Sequence, residues 1–310
     1  MTGNMTGNPD IFDRQLLRKR RDRFAIHAAR HEFLLARVAD DMVERLAGVR
    51  RTFPLALDLG AHHGLLGRRL AQVPGVETVI DAEASAALLA QCSGLRVACD
   101  EEVLPFRDQS LDLVVSALSL QLINDLPGVL AQVRRALKPD GLLLASMLGG
   151  STLFELRTAL LAAEEEIEGG ASPRVAPFAD VRDLGGLLQR AQFALPVVDA
   201  ETVVVTYADP LALMHELRAM GGANILRSRS RKPMRRATLQ RSFEIYAQRF
   251  GLANGRIPAT FEILTLTGWA PHESQQKPLQ PGSAKMRLAD ALGTTEQPAG
   301  DTARPDKPRG

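Results

Sequence analysis

The chain has 310 residues, of which 45% are hydrophobic and 24% are charged. That balance suits one large globular domain with appendages, or two small domains. The formal net charge of +2 gives no bulk-charge argument for nucleic acid or membrane binding. Cys92 and Cys99 are too few for a disulfide framework or a zinc site, so we expect a reducing cytoplasm. No apolar run reaches membrane-spanning length, and the N-terminus lacks the apolar segment of a signal peptide.

The N-terminal fifty residues differ from the rest of the chain. Residues 1–10 are small and polar and are expected to be disordered. Residues 11–50 predict a helical cap, because apolar residues recur at three- and four-residue spacings. The basic run Arg18–Arg23 is typical of a solvated helix face, with a partner-binding patch as the alternative. His27 and His31 lie four residues apart, but no third ligand accompanies them, so we expect no metal site.

The most informative stretch runs from residue 54 to residue 70. An apolar run, Leu55–Leu59, ends in a turn that contains Gly60 and Gly64, and a helical pattern follows. A strand, a tight turn and a helix in this order are the first unit of an α/β fold that binds nucleotides. Glycines let the backbone approach a ligand and adopt positive φ, and the first turn of the helix offers free N–H groups.

The spacing of this turn narrows the ligand. A dinucleotide fingerprint needs glycine where His62 and Leu65 stand, and the lysine of a phosphate-binding Walker loop is missing. The remaining pattern starts at Asp58: an acid, an apolar residue, glycine, three residues, glycine. It resembles the S-adenosylmethionine loop of class I methyltransferases. An ordinary strand-to-helix turn is the alternative.

Two acids follow the next predicted strands. Asp81 ends the strand Val76–Ile80, close to the interval of about 20 residues expected between the loop and a ribose-binding acid. A carboxylate there can accept from both ribose hydroxyls, whereas the alternative role is a cap for the following helix. Asp100 follows the strand Leu95–Ala98 and is placed to accept from the amine of adenine, with a solvated loop as the alternative.

The middle of the chain continues the alternation of strand and helix. Strands are predicted at Leu111–Ala117 and Leu142–Met147, with a helix at Asn124–Leu137 and a turn at Lys138–Gly141. Such alternation predicts a parallel sheet with right-handed crossovers and a ligand beyond the carboxyl ends of the strands. The predicted cofactor contacts are Asp58, Gly60, Ala61, His62, Gly64, Asp81, Ala82, Asp100, Glu101 and Ser116.

The C-terminal half predicts two more strands, in 197–207 and at Phe261–Trp269, and a helical insertion of about 208–256 lies between them. The methyltransferase-like domain would then span 51–271. The basic loop Arg227–Arg236 lacks interleaved aromatic residues, so a solvated loop or an acidic protein partner is favoured over nucleic acid. Residues 272–310 are rich in Gln, Lys, Pro and Gly and are expected to be disordered.

Several stretches together resemble one family, the methyltransferase-fold assembly factor of respiratory complex I in its alphaproteobacterial form. The most specific are Gly-Gly-x-Thr-Leu-x-Glu-Leu-Arg at 149–157 and Pro-Ala-Thr at 258–260. The others lie at 11–14, 58–60, 100–106, 119–127, 137–141, 172–173, 177–178, 261–263 and 268–269. A more distant resemblance is to the malonyl-carrier-protein O-methyltransferase of biotin synthesis.

The resemblance implies an α/β class I S-adenosylmethionine-methyltransferase fold. That fold is a Rossmann-like seven-stranded sheet with N-terminal helices and the insertion as a lid. It implies S-adenosyl-L-methionine as cofactor and a protein substrate, a subunit of the peripheral arm of complex I. The mitochondrial family member is regarded as an arginine hydroxylase. A eukaryotic protein would therefore lie in the mitochondrial matrix, and the shared start at Ile11–Arg14 argues against a transit peptide.

Two departures from the family affect the expected chemistry. His62 stands where most members of the wider methyltransferase class carry glycine, and Gln121 stands where relatives often carry histidine. The histidine is costly in a left-handed turn, and it can cover the methionine part of the cofactor. No side chain is a convincing general base. The catalytic candidates are Gln121, Glu155 and Arg157. For Glu155 and Arg157 the alternative is that they form pairs on the helix surface.

Methyl transfer needs mainly orientation and proximity, whereas hydroxylation would need iron or flavin, and no facial triad is evident in the sequence. Three hypotheses remain. The first is an enzyme that uses S-adenosylmethionine to modify a protein side chain during complex I assembly. The second is an O-methyltransferase acting on a small molecule or carrier protein. The third is a non-catalytic assembly chaperone.

Overall fold

The computed structural model describes residues 10–276 and 288–295. The chain divides into two units, Met1–His272 and Glu273–Gly310. The disorder expected at 1–10 and 272–310 falls mainly outside the described residues. In the second unit a short helix spans Leu288–Leu292, which the sequence did not predict. All that follows concerns the first unit.

A seven-stranded sheet forms the centre of the described part of this unit, in the order β3-β2-β1-β4-β5-β7-β6. The strands are β1 Phe53–Leu59, β2 Val76–Glu83, β3 Leu95–Ala98, β4 Leu111–Ala117, β5 Leu137–Leu148, β6 Ala194–Tyr207 and β7 Ile257–Trp269. The first five are parallel, and β7 is antiparallel to both neighbours. The predicted fold class is confirmed, and strand order reverses between β1 and β4, where α/β sheets bind ligands.

Nine helices surround this sheet within the described residues. They are α1 Arg14–Phe24, α2 Phe33–Ala47, α3 Leu65–Leu70, α4 Ala86–Leu89, α5 Leu126–Ala136, α6 Phe154–Glu168, α7 Val181–Arg190, α8 Pro210–Ala219 and α9 Arg236–Phe250. The predicted helical cap is interrupted between α1 and α2 by a 3₁₀ helix, Ala25–Arg30. Side chains at the starts of several helices accept from backbone N–H groups, as Asp125 does from Gly128 at 2.9 Å. Among these helices, none is both long enough and apolar enough to span a bilayer.

Each face of the sheet carries its own hydrophobic core. On one face, α2, α3, α6 and α9 contribute Met42, Leu66, Leu160 and Tyr246. On the other face, α5 and α7 contribute Leu130 and Leu188, among others. Layers on both faces are typical of a mostly parallel sheet. The helices cover the faces, which leaves the carboxyl edge of the strands for other segments to cover.

The N-terminal cap and the insertion between β6 and β7 meet over that edge. Phe12 and Leu17 pack with Ile225 and Leu226 in a small buried cluster. The backbone N–H of Asp13 donates to the carbonyl of Ile225 at 2.8 Å, and Phe12 forms a β-bridge with Leu226. The two segments therefore form one cover over the strand ends.

Two arginines of the basic loop take part in this cover. Arg227 lies 2.7 Å from Asp10, and Arg229 lies 3.3 Å from Asp13. The basic loop is predicted from the sequence to be solvated or to contact an acidic partner. Arg227 and Arg229 instead form ion pairs within the chain.

Several element boundaries differ from the sequence prediction by a few residues, and two of these differences change the local structure. Strand β2 continues to Glu83, two residues past Asp81. The predicted turn Lys138–Gly141 lies inside the bounds of β5 as an irregularity, where pairing with β4 passes from Leu137 to Leu142. The longer β2 matters for function, because it brings a different acid to the end of the strand.

Candidate cofactor and substrate site

The loop after β1 is built on backbone bonds to β2. The N–H groups of Gly60 and Ala61 both donate to the carbonyl of Ala82, at 2.8 and 3.0 Å. Gly60 has φ +76° and Gly64 has φ +77°. A Cβ at Gly60 would lie 2.2 Å from Ser119 Oγ, and one at Gly64 would lie 2.9 Å from the backbone of Cys92. Packing within the protein therefore already requires both glycines.

His62 lies in the same loop at φ 52°, a conformation that costs a non-glycine residue energy. Its Nε2 donates to the carbonyl of Ala117 at 3.0 Å, and its backbone N–H donates to Glu83 Oε2 at 3.1 Å. Burial and the nearby Arg21 guanidinium lower the pKa of His62 to about 3, so the imidazole is neutral. Because Nε2 carries the proton, Nδ1 keeps a free lone pair.

The acid at the carboxyl end of β2 is Glu83, whereas Asp81 is the acid predicted there from the sequence. Glu83 is fully buried, and it accepts from the backbone of His62 and of Ser85. Burial raises the pKa of Glu83, and Arg21 opposes that rise. Ser85, whose Oγ accepts from Leu88 N–H at 3.2 Å, caps α4. Asp81 therefore does not take the alternative role of a helix cap either.

Asp81 lies beneath α3 and lines neither cavity described below. A Cβ at Gly67 of α3 would lie 2.1 Å from Asp81 Oδ1, which shows how closely the carboxylate packs against the helix. Asp58 is its partner across the strand pair, and both side chains are buried. Neither oxygen of Asp58 has a hydrogen-bond partner among the described residues, and burial, with Asp81 and Glu83 nearby, raises the pKa of Asp58.

Of the other predicted cofactor contacts, two are occupied inside the protein. The Oγ of Ser116 donates to the carbonyl of Leu59 at 2.7 Å, and the carbonyl of Ala82 accepts from the loop. Ser116 is fully buried within β4. These residues hold the loop in place, and the structure does not bring their side chains to a cavity.

The acids after β3 face α1. Asp100 lies 2.7 Å from Arg14, and Glu101 contacts both Arg14 and Arg21. Glu101 is fully buried and also accepts from Ser119 Oγ at 2.8 Å. Burial alone would raise the pKa of Glu101, but the two guanidinium groups outweigh it and lower that pKa to about 2. Glu101 is therefore ionised at neutral pH.

Two cavities border this cluster. The α1 cavity, of about 280 Å³, lies between α1 and the strand ends and is lined by Arg14, Ala84, Asp100 and Glu101, among others. The insertion cavity, of about 200 Å³, lies between the strand ends and the insertion. Its walls are mostly apolar, with leucine the commonest residue, and include Phe261 and polar side chains from the cap and the loops. Arg21 lines both cavities.

The three catalytic candidates lie in different places, and only one of them lines a cavity. Gln121 lines the insertion cavity. Glu155 is buried elsewhere, where it accepts from the backbone and the hydroxyl of Thr260 at 3.2 and 2.5 Å. Arg157 donates to the carbonyl of Gly150 at 3.0 Å. Neither Glu155 nor Arg157 lines a cavity, because the start of α6 is packed against β7.

Sequence reasoning missed four residues of this site. Glu83 could have been found from the serine cap two residues later, which marks the true strand end. Arg21, Glu32 and His63 gave no signal, because their partners are distant in the chain: Arg21 meets Glu83, and Glu32 meets His63 at 2.5 Å. Within the described part of the chain, no group of three or more His, Cys, Asp or Glu residues is arranged to hold a metal ion.

Comparison with known proteins identifies the class. A family model described as a methyltransferase domain matches residues 57–145. A solved Bacillus halodurans protein, suggested to be a methyltransferase, shares the fold with a TM-score of 0.52. It is 14% identical and covers 74% of this chain and 97% of its own. Together with the strand order and the glycine loop, this defines a class I S-adenosyl-L-methionine-dependent methyltransferase-fold enzyme.

The curated relatives identify the family. Arginine-hydroxylase NDUFAF5, mitochondrial, of Danio rerio is 39% identical over 292 residues, which is 91% of this chain and 89% of that protein. The Homo sapiens protein of the same name is 38% identical over 291 residues, 91% and 83% of the two chains. Malonyl-[acyl-carrier protein] O-methyltransferase of Gallionella capsiferriformans is 32% identical over 278 residues, 85% and 93%. The chain belongs to the family of the NDUFAF5 arginine-hydroxylases.

Proposed function

We propose that this enzyme binds S-adenosyl-L-methionine beside the β1 loop and modifies an arginine side chain of a protein partner. The relatives with the highest identity given above are named arginine-hydroxylases, and they match nearly the whole chain. Following the resemblance of its motifs, we propose a subunit of the peripheral arm of respiratory complex I as that partner. Hydroxylation is the proposed modification; it inserts one oxygen atom into a C–H bond and needs molecular oxygen and a redox co-reactant supplied from outside the chain, because the sulfonium is not an oxidant. Methylation, in which a guanidinium nitrogen takes the methyl group of the sulfonium and loses a proton, is the alternative and needs no further reactant.

The acids that follow β2 and β3 suit the adenosine part of the cofactor. Glu83 lines neither cavity while Arg21 is bound to both of its oxygens, but these oxygens match the two ribose hydroxyls, and Asp100, in the wall of the α1 cavity, can accept from the adenine amine. Ala84, between them in the chain, has a side chain small enough to leave room for a ring. When bound, the cofactor supplies an electrophilic sulfonium. The side chains of this protein orient it, and His62 at the border of the insertion cavity would lie near its methionine part.

Arg21 must move for this placement. Its guanidinium donates to both oxygens of Glu83, so the ribose hydroxyls and Arg21 compete for the same acceptors. Arg21 also contacts Glu101 at 3.2 Å, and this second partner can hold the guanidinium when Glu83 is taken by the cofactor.

One observation favours an arginine substrate over a carrier-bound acid: the arginine side chains in the insertion cavity are already paired with carboxylates of the protein. Arg21 is paired with Glu83 and with Glu101, and Glu101 remains its partner when the cofactor takes Glu83; Arg174 is paired with Glu164. These are the only arginine or lysine side chains that line the cavity among the described residues. A malonyl carboxylate would meet no uncommitted guanidinium there, and a buried unpaired charge is costly.

Mass spectrometry of complex I from a strain that lacks this gene tests the proposal. We expect one arginine of a peripheral-arm subunit to lose the mass of one oxygen atom relative to the parent strain. Loss of one methylene mass would replace hydroxylation by methylation. Unaltered subunits would contradict the proposal and leave the carrier-protein or chaperone functions. Titration calorimetry with S-adenosyl-L-methionine tests the cofactor separately, since absence of binding would contradict the cofactor site.

A further inference from the structure

Gln121 carries a buried acceptor without a partner. It lies in the 3₁₀ turn Leu120–Leu122 that follows β4 and is 8% exposed. Its Nε2 donates to the carbonyl of Leu118 at 2.8 Å, which fixes the amide so that Oε1 is the remaining atom. Among the described residues, none donates to this Oε1. An unmet buried acceptor costs about 1–3 kcal/mol, so a ligand with an N–H or O–H donor would remove a penalty that the folded protein carries.

Glu32 supplies a second acceptor to the same cavity. It is the one carboxylate among the described residues that line the insertion cavity. Its Oε2 bonds His63 Nε2 at 2.5 Å, and no described residue donates to Oε1. The side chain is 30% exposed and lines the cavity, and its pair with His63 uses only Oε2.

Most of the rest of the cavity wall is apolar, and its two arginines, Arg21 and Arg174, are paired with carboxylates. Leucines from several helices and loops, together with Phe261, supply much of the apolar surface. Acceptors on an apolar wall suit a ligand with a long apolar stem and a cationic head rich in N–H groups. Arginine has three methylenes and five N–H donors in a planar fork, whereas lysine has three donors at one point.

We infer that Gln121 Oε1 and the Glu32 carboxylate form the acceptor side of a subsite for the guanidinium group of the substrate. The inference rests on the proposed function, and it assigns residues that the motifs did not single out for substrate binding. Gln121 binds one N–H through a neutral acceptor, and Glu32 balances the positive charge. The α-ammonium of the cofactor has similar donor chemistry and is the competing source.

Binding of small probes to the full chain tests the subsite. The probes are N-acetyl-arginine methylamide and its citrulline counterpart, which has a similar shape but is neutral. They are titrated with and without S-adenosyl-L-methionine and followed by NMR. The variants are Gln121→Met and Glu32→Gln. The controls are Gln72→Met and Glu44→Gln, two exposed residues outside both cavities. Thermal unfolding verifies that each variant is folded.

For the wild type we expect the arginine probe to bind about tenfold or more tightly than the citrulline probe. Each subsite variant should weaken the arginine probe by about tenfold, and each control by less than about twofold. Glu32→Gln should also narrow the difference between the two probes. The dissociation constant of S-adenosyl-L-methionine should change by less than about twofold in all four variants.

Three results would overturn the inference. The first is an arginine probe that binds no better than citrulline. The second is subsite variants that match their controls. The third is variants that weaken the cofactor and leave the arginine probe unchanged, which would assign these acceptors to the ammonium of the cofactor. Each leaves cofactor binding by the wild type intact, whereas failure of the proposed cofactor site appears as absent binding in the wild type itself.

Discussion

The guanidinium of Arg21 donates to both carboxylate oxygens of Glu83, at 3.1 and 3.3 Å, and to Glu101 at 3.2 Å. One cation of α1 thus joins the acids that follow β2 and β3, and all three side chains are buried. Burial opposes the charge on Arg21, but the two carboxylates outweigh it and raise the pKa of Arg21. The N-terminal cap is therefore attached to the proposed cofactor site by charge as well as by packing.

Arg21→Met should destabilise the protein strongly. It leaves two neighbouring buried carboxylates with less compensation, and such losses cost about 3–5 kcal/mol in the free energy of unfolding. Urea unfolding at neutral pH measures the effect. Arg23→Met is the control, because Arg23 is exposed on the same helix, and its cost should stay within about 0.5 kcal/mol. Equal costs for the two variants would show that the Arg21 pair does not hold α1.

Glu83→Gln should weaken cofactor binding, because glutamine offers one acceptor oxygen where the carboxylate offers two. The lost charge-assisted hydrogen bond corresponds to about 10- to 100-fold in the dissociation constant of S-adenosyl-L-methionine. Asp81→Asn is the matched control and should change it by less than about twofold, since Asp81 packs against α3. Isothermal titration calorimetry compares the two. A larger loss in Asp81→Asn would restore the assignment made from the sequence.

His62→Asn should change how stability depends on pH. The folded-state pKa of His62 is lowered from 6.5 to about 3, so the unfolded chain binds the extra proton between those values. The stability that the neutral imidazole contributes is therefore complete above 6.5 and is lost as pH falls toward 3. Asparagine does not titrate and tolerates left-handed φ.

In that window the wild type should lose about 1 kcal/mol more per pH unit than His62→Asn. Urea unfolding at about pH 7 and at about pH 5 measures the difference. The slope follows from the one extra proton that the unfolded wild type binds in this range. Parallel pH dependences for the two proteins would mean that folding does not lower the pKa of His62.

The sheet and the glycine loop could be predicted from sequence, because apolar runs and turn residues are local signals. The site could be predicted only in part, because its contacts join distant segments. Asp81 and Glu83 lie two residues apart on the same side of β2, so the choice between them depends on where the strand ends. Arg21 belongs to a basic run whose other members are mostly exposed, and composition does not distinguish the one that turns inward.

The contacts of Glu155 also join segments that are distant in the chain, so its position could not be predicted from the sequence. The sequence offered it as a catalytic candidate, but its carboxylate accepts from the backbone N–H and the hydroxyl of Thr260 in β7. Glu155→Ala should therefore leave two buried donors unmet and cost about 2–4 kcal/mol in the free energy of unfolding. The dissociation constant of S-adenosyl-L-methionine should stay within about twofold, because Glu155 lines neither cavity.

Glu165→Ala, at an exposed position of the same helix, is the control and should cost within about 0.5 kcal/mol in the free energy of unfolding. Calorimetry and urea unfolding on the same samples separate the two roles. A variant of unchanged stability that no longer modifies its substrate would return Glu155 to the catalytic site.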